Sequence, residues 1–138
     1  MLRITADTNV IVSGLNFRGN PRRMLAAAEA GAIRLCVSPA ILAEVADVLQ
    51  REKFGWDVAD AKEATDWISQ ISDNVAPTQP VDVIKDDPSD NRILECAAAA
   101  RSRYVISGDK HLLRLKSFEG KPIVTVAEFL AILQGRGR

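Results

Sequence analysis

Leu2-Arg3-Ile4-Thr5-Ala6-Asp7-Thr8-Asn9 is the stretch of sequence that decides the fold. Residues 2–6 form a short, mainly apolar run, and such a run predicts a strand. Asp7, Thr8 and Asn9 follow at once, so polar side chains stand at the carboxyl end of that strand. In open α/β sheets, ligands sit outside the carboxyl ends of the strands. The stretch therefore predicts the first strand of a sheet and the first residues of a site.

Further short apolar runs predict four more strands along the chain. They cover residues 33–37, 81–84, 104–106 and 122–125. The run at residues 81–84 is separated from Val75, which is assigned to the same strand region, by Pro77 and Pro80, and it precedes the acidic loop Asp86-Asp87-Pro88.

Helices are predicted between these runs. Asn20-Pro21 and Ser38-Pro39 each pair a good N-cap residue with proline at the first helical position, and Gly31 supplies a stop. Helical spacing also covers residues 57–71 and 89–100, and Thr125-Val126-Ala127-Glu128 is a capping box that opens the last helix. Because parallel strands need crossover connections, this alternation predicts an α/β fold with a mostly parallel sheet covered on both faces.

The composition limits the class of protein. The chain has 138 residues, 47% hydrophobic and 26% charged, which predicts a single globular domain over residues 1–138 rather than a disordered or fibrous chain. Its 18 basic residues balance 18 acidic ones. Most nucleic-acid binders carry an excess of Lys and Arg, so any RNA would have to be held by local patches.

Cysteine use and hydropathy predict a soluble cytoplasmic protein. Cys36 and Cys96 lie within apolar runs, where a reduced cysteine behaves as a small hydrophobe. No signal-peptide pattern precedes Ile4. No apolar run approaches the roughly 20 residues that a membrane span needs, so no membrane partner is expected.

Four acidic residues are the candidates for chemistry: Asp7, Glu44, Asp90 and Asp109. Asp7 and Asp109 each follow a predicted strand, so both reach the same edge of the sheet if those strands are neighbours. Asp90 falls on the apolar stripe of its helix and Glu44 falls at the edge of its own, so both point toward the protein. The pattern predicts that the four carboxylates converge.

Such a set of carboxylates favours a divalent cation. Carboxylates packed close together raise one another's pKa and destabilise the fold unless positive charge lies between them. With no matching His or Cys cluster in the sequence, the oxygen ligands favour Mg²⁺ or Mn²⁺ over Zn²⁺. A bound cation can lower the pKa of a water molecule and neutralise charge that develops on a phosphoryl group. The pattern therefore indicates phosphodiester hydrolysis.

Each acidic residue also has a simpler structural interpretation. Asp7 can cap a loop, and Asp90 and Asp109 can cap the helices that follow them. Glu44 can reach solvent or an arginine.

Four segments together resemble the successive motifs of the PIN domain, and they occur in the family's order. They are Asp7-Thr8-Asn9-Val10-Ile11-Val12-Ser13, Ser38-Pro39-Ala40-Ile41-Leu42-Ala43-Glu44-Val45, Asp87-Pro88-Ser89-Asp90-Asn91 and Ser107-Gly108-Asp109-Lys110-His111-Leu112-Leu113. The resemblance spans nearly the whole chain and is strongest to the bacterial branch of toxin components of toxin–antitoxin systems.

This resemblance implies a three-layer α/β/α sandwich with a central sheet of about five parallel strands. It also implies an Mg²⁺- or Mn²⁺-dependent ribonuclease that cuts single-stranded RNA, often as a homodimer with a separate antitoxin. The family's acidic positions, which serve as catalytic and metal-binding residues, correspond to Asp7, Glu44, Asp90 and Asp109.

Several polar residues near these acids carry further expectations. Ser107 stands where the family often has Thr, which keeps the hydroxyl group. Thr8, Asn9 and Ser13 either hydrogen-bond the carboxylates or a bound water, or simply shape turns. For Asp86-Asp87 we favour a solvated face over a metal ligand.

Other folds with an acidic residue after the first strand fit less well. A haloacid-dehalogenase-type phosphotransferase needs a second Asp where this chain has Asn9, and the acidic spacing does not suit a receiver domain. The first turn is not rich in glycine, which argues against a dinucleotide-binding fold. The remaining alternative is a non-catalytic PIN-like module that binds RNA or a protein without cleaving it.

Overall fold

The computed structural model describes residues 1–136 of the chain, with side chains for residues 1–135. Its strands are β1 (Arg3–Ala6), β2 (Arg34–Val37), β3 (Ser72–Asn74), β4 (Tyr104–Ile106), β5 (Ser117–Phe118) and β6 (Lys121–Val124). They form one sheet in the order β3-β2-β1-β4-β6-β5. Every pairing is parallel except that of β5 with β6. The predicted α/β class with a mostly parallel sheet is confirmed. Residues 137 and 138 of the predicted domain lie outside the described part.

Seven helices surround the sheet within the described residues. They are α1 (Thr8–Asn16), α2 (Asn20–Glu29), α3 (Pro39–Gln50), α4 (Val58–Gln70), α5 (Asn91–Ala100), α6 (Lys110–Leu115) and α7 (Val126–Arg136), with a 3-10 turn at Pro88–Asp90. Over residues 1–136, no helix is both long enough and apolar enough to span a membrane.

The predicted helix starts are mostly confirmed. Ser38 caps α3 by accepting a hydrogen bond from the Ile41 amide at 3.3 Å. Thr125 and Glu128 form the reciprocal capping box, with distances of 3.0 and 3.2 Å. The prediction that Asn20 caps its helix is wrong, because Gly19 occupies the cap position with a φ of 131°. That left-handed conformation costs glycine little, since it has no Cβ.

The strand order explains how the two faces of the sheet are covered. Crossovers between parallel strands are almost always right-handed, which puts the helices between β1, β2 and β3 on one face. In agreement, α1 packs on α2 and α3, and α3 packs on α4. The next strand, β4, lies on the other side of β1, so the connection from β3 runs in the opposite direction and α5 lies on the opposite face. Consistent with this, α5 packs against β1, β2 and β4. The reversal leaves β1 and β4 as neighbours at the switch point, where ligands bind in sheets of this kind.

The predicted strand at residues 81–84 is wrong, and the third strand is instead β3. The Val83 and Ile84 amides both donate to the side chain of Asn91 at 2.9 Å. The Asn91 side chain thus takes the hydrogen bonds that a neighbouring strand would otherwise accept. The sequence Ser72-Asp73-Asn74 shows no apolar run that could have predicted a strand. Its position at the edge of the sheet is stabilised by Asp73, which pairs with Arg34 on the adjacent strand β2 and with Arg3 on β1, the strand beyond it.

Candidate metal centre

Asp7 lies directly after β1 and is 3% exposed. Its amide donates to the carbonyl of Ile106 at 2.9 Å, which fixes the ends of β1 and β4 side by side. One carboxylate oxygen caps α1 by accepting from the Val10 amide at 2.8 Å. Burial raises the pKa of the Asp7 carboxyl, although hydrogen bonds from Ser107 and Val10 oppose the rise. Asp7 therefore both caps α1 and lies in the candidate site.

Ser107 links the two strand ends through its hydroxyl group, which is fully buried. The hydroxyl donates to the second carboxylate oxygen of Asp7 and accepts from the Asp109 amide at 2.9 Å. Of the three hydroxyl residues Thr8, Ser13 and Ser107, it is thus Ser107, on the neighbouring strand end, that hydrogen-bonds Asp7. The two acids that follow β1 and β4 are held in a fixed relation by this single side chain.

Asp109 follows β4 and begins α6. One oxygen of its carboxylate accepts hydrogen bonds from the His111 amide at 2.7 Å and the Leu112 amide at 3.4 Å. This confirms the helix-capping interpretation, but the same half-buried carboxylate also faces Asp87 and Asp90. As the strand pairing predicted, Asp7 and Asp109 reach one edge of the sheet.

Asp90 stands at the start of α5 but does not cap it, because its side chain accepts no hydrogen bond from the first turn of that helix. Its Oδ2 atom is buried without a hydrogen-bond partner in the described part of the chain. Burial, followed by the charges of Asp109 and Asp87, raises the pKa of Asp90 to about 7. Asp90 therefore occupies the N-cap position of α5, as its simpler interpretation predicted, but its side chain makes no capping hydrogen bond and is available for another partner.

Three carboxylates form a cluster at this edge of the sheet. One ligand oxygen from each of Asp87, Asp90 and Asp109 lies within 4.8 Å of the other two. The sequence favours a solvated face for Asp86-Asp87. Asp86 is indeed exposed and lies 3.5 Å from His111, whereas Asp87 is half-buried and belongs to the cluster.

Glu44 lies on α3 and is half-buried, as its position at the edge of the apolar stripe predicted. Burial raises the pKa of its carboxyl, the neighbouring Thr8 hydroxyl opposes the rise, and the charge of Asp87 adds to it. The charges of Asp7 and Glu44 also act on Asp90. Neither residue is one of the three acids that lie within 4.8 Å of each other, so both flank the cluster.

The residues present fit a divalent cation. In the described part of the chain, no Lys, Arg or His forms an ion pair with Asp87, Asp90 or Asp109. Carboxylates without a positive partner repel one another, and the buried, unpartnered oxygen of Asp90 adds a further desolvation cost. The donors are all oxygen atoms, which suits Mg²⁺ or Mn²⁺ better than Zn²⁺.

Asn91 is a positioning residue that no capping or periodicity signal in the sequence marks, although it directly follows Asp90 in the segment Asp87-Pro88-Ser89-Asp90-Asn91. It is 1% exposed, and its side chain accepts from the Val83 and Ile84 amides and donates to the carbonyls of Ile84 and Pro88. These bonds hold the segment before α5 against that helix, and so they set the position of the Asp87–Asp90 turn.

The comparisons with known proteins identify the family. The family model described as "PIN domain" matches residues 3–111, which is most of the chain, and the chain therefore belongs to the PIN domain family. Among curated proteins, no sequence matches this chain.

Solved structures also share its fold, among them chains of two VapBC complexes. A chain of the DNA-bound VapBC from Salmonella typhimurium is 16% identical, with a TM-score of 0.60 over 91% of this chain and 99% of that chain. A chain of VapBC2 from Rickettsia felis, bound to a DNA fragment from its promoter, is 12% identical, with a TM-score of 0.63 over 90% of this chain and 98% of that chain. At these identities the likeness concerns the fold, and it agrees with the family match.

Proposed function

We propose that this protein is an Mg²⁺- or Mn²⁺-dependent endoribonuclease that hydrolyses single-stranded RNA. The observation that carries the proposal is the group of three carboxylates, Asp87, Asp90 and Asp109, with ligand oxygens within 4.8 Å of one another and no cation paired with them among the described residues. The PIN domain family consists generally of nucleases, which agrees with such a site.

The protein's own residues would divide the work as follows. Asp90, Asp109 and Asp87 would hold the cation, and the nearby carboxylates of Asp7 and Glu44 would add to the negative charge that attracts it. The bound cation would supply a water of lowered pKa and stabilise charge on the phosphoryl oxygens. The Asp7 carboxylate would be kept in place by its capping bond and by Ser107.

RNA would be held by local positive charge, since the chain as a whole is neutral. Arg18, Arg22 and Arg23 are exposed in the connection after α1 and in the first turn of α2. Arginine side chains of this kind contact phosphates, which position a nucleic acid without reading its sequence.

We also propose that the protein is the toxin of a type II toxin–antitoxin pair, acts in the cytoplasm and forms a homodimer. The family resemblance and the likeness to chains of two VapBC structures support this role. A cavity of about 690 Å³ beside α4 offers a surface for the antitoxin: it has apolar walls and an acidic rim, which suit a partner segment with bulky apolar and basic side chains. It is lined by Phe54, Gly55, Trp56, Asp57, Asp60, Glu63, Ala64 and Trp67.

The decisive experiment is cleavage of a labelled single-stranded RNA by the purified protein. We expect cleavage with Mg²⁺ or Mn²⁺, no cleavage after chelation, and a loss of roughly 100-fold or more in Asp90→Asn, exceeding the 10–100-fold typical of second-shell changes. Asp66→Asn is a matched control, because Asp66 is exposed and pairs only with Lys62 in the described residues. Metal-dependent RNA binding without any cleavage would instead favour the non-catalytic module.

A further inference from the structure

A second cavity lies beside the candidate metal centre and shares only part of its lining with it. Its volume is about 360 Å³. It is lined by Asn9, Val10, Ser13, Pro21, Ser107, Gly108, Asp109, Thr125 and Val126. Ser107 and Asp109 also belong to the acidic site, whereas Asp87 and Asp90 do not line the cavity. Asp109 therefore stands between the carboxylate cluster and this cavity.

The cavity presents one polar wall on α1. Asn9 and Ser13 are four residues apart on that helix, so their side chains lie on the same face. The helix cannot shift easily, because Asp7 caps its start and Gly14 packs closely on α2. A Cβ atom at Gly14 would lie 2.6 Å from the Leu25 side chain, which shows how closely the two helices approach.

The other walls are formed by apolar side chains or by a polar group that already has a hydrogen-bond partner. Val10, Pro21 and Val126 give the cavity apolar surfaces. The Thr125 hydroxyl accepts the hydrogen bond from the Glu128 amide in the capping box of α7, which fixes that wall. Apolar walls with a few polar groups on one side suit a flat ring system that carries hydrogen-bonding groups at its edge.

The size of the cavity agrees with a single nucleoside unit. Pockets for small ligands span roughly 300–1,000 Å³, so this cavity is at the small end of that range. A nucleoside in the cavity would have the metal-binding edge on one side, because Asp109 lines the cavity and also belongs to the carboxylate cluster.

We propose that this cavity binds the nucleoside adjacent to the scissile phosphate, with the Asn9 amide reading the edge of the base and the Ser13 hydroxyl supplying a second hydrogen bond. An amide side chain carries both a donor and an acceptor, as base edges do, and can therefore discriminate between bases. This inference rests on the proposed ribonuclease function and adds a site of base preference to it.

The test is cleavage of a single-stranded RNA pool of random sequence by the full-length protein with Mn²⁺, followed by sequencing of the ends. We expect the wild type to favour one base at a position next to the cut. Asn9→Ala and Ser13→Ala should weaken that preference and raise KM about fivefold for each lost hydrogen bond, with kcat changed much less. Ser117→Ala, at an exposed position of the short strand β5, is the matched control and should behave as wild type.

A binding measurement separates failure of this site from failure of the ribonuclease function. Each of the four nucleoside 5′-monophosphates is titrated by calorimetry into the wild type, Asn9→Ala and a cavity-filling Ser13→Met variant, all with Mn²⁺ present. We expect one nucleotide to bind the wild type best and both variants to lose that binding. Unchanged base preference and unchanged binding in both variants would overturn the subsite while leaving cleavage intact. Nucleotide binding that depends on Asn9 without cleavage would support the subsite and reject the ribonuclease.

Discussion

The Ser107 hydroxyl donates a hydrogen bond to the Asp7 carboxylate, and these two residues are 100 positions apart in the chain. The same hydroxyl accepts from the amide of Asp109. One buried side chain thus joins the acid after β1 to the acid after β4 at the switch point of the sheet. Because both acids are held by protein groups before any cation arrives, this edge of the site is preorganised.

Replacing Ser107 by Ala should therefore harm both stability and activity. The Asp7 oxygen would remain buried without its donor, which costs roughly 1–3 kcal/mol in the free energy of unfolding. We expect RNA cleavage to fall by roughly 10–100-fold, as for other residues that orient metal ligands. Urea denaturation and initial cleavage rates measure the two effects. Ser107→Thr keeps the hydroxyl and should retain most of the activity, and equal loss in both variants would contradict the role of the hydrogen bond.

Asp90 should make the metal-free protein less stable as pH rises. Its pKa is about 7 in the folded protein and about 3.9 in an unfolded chain. Between these values the folded state binds more protons than the unfolded state, so the free energy of unfolding falls with rising pH and levels off above pH 7. Asp90→Asn should flatten this dependence and raise the melting temperature at pH 8 in a chelating buffer. An unchanged slope in the variant, measured by thermal denaturation from pH 5 to 8, would show that Asp90 has no such shift.

Divalent cations should stabilise the fold through Asp87. Binding to the native state alone raises the melting temperature as the cation concentration exceeds its dissociation constant. We expect Mn²⁺ to raise the melting temperature of the wild type and to raise that of Asp87→Asn less. Asp86→Asn is the matched control, because Asp86 is the exposed neighbour outside the cluster and should leave the Mn²⁺ effect unchanged. Equal shifts in all three proteins would exclude Asp87 as a ligand.

Removing the Asn91 side chain should release the segment before α5. Asn91→Ala leaves the Val83 and Ile84 amides and two carbonyl groups without their partner, which we expect to cost about 3 kcal/mol in the free energy of unfolding. Hydrogen exchange should then quicken at residues 83 and 84 before the protein unfolds globally. Asn74→Ala, at an exposed asparagine, is the control and should lower the free energy of unfolding less. If residues 83 and 84 of Asn91→Ala are as protected from exchange as in the wild type, Asn91 does not hold this segment.

Thr8 offers a test of the site that does not depend on removing an acid. Its buried hydroxyl oxygen makes no hydrogen bond of normal geometry among the described residues, although it lies near enough to Glu44 to oppose the rise of that carboxyl's pKa. Thr8→Val removes this unpaired group and should raise the stability of the metal-free protein by about 1 kcal/mol. Cleavage should fall if the hydroxyl orients Glu44 or a bound water. A variant that is both less stable and fully active would contradict this assignment.

Much of the fold was predictable because its signals are local. The apolar runs of β1, β2 and β4 and the proline and capping signals of α3 and α7 act within a few residues of where they stand. The strand β3 could not be predicted in the same way. Its residues are polar, and it is held by Asp73 contacts with two arginines that are distant in sequence.

The sequence by itself determined which acids follow strands and which fall on the inner side of a helix, since periodicity and capping depend on neighbouring residues. It could not tell Asp87 from Asp86, because adjacent residues in a loop carry no periodicity. Only the tertiary structure decided that Asp87 turns inward to Asp90 and Asp109. The physical reason is that this choice depends on how Asn91 folds the preceding segment onto α5 and on the meeting of β1 with β4, and both are contacts between parts of the chain that become neighbours only on folding.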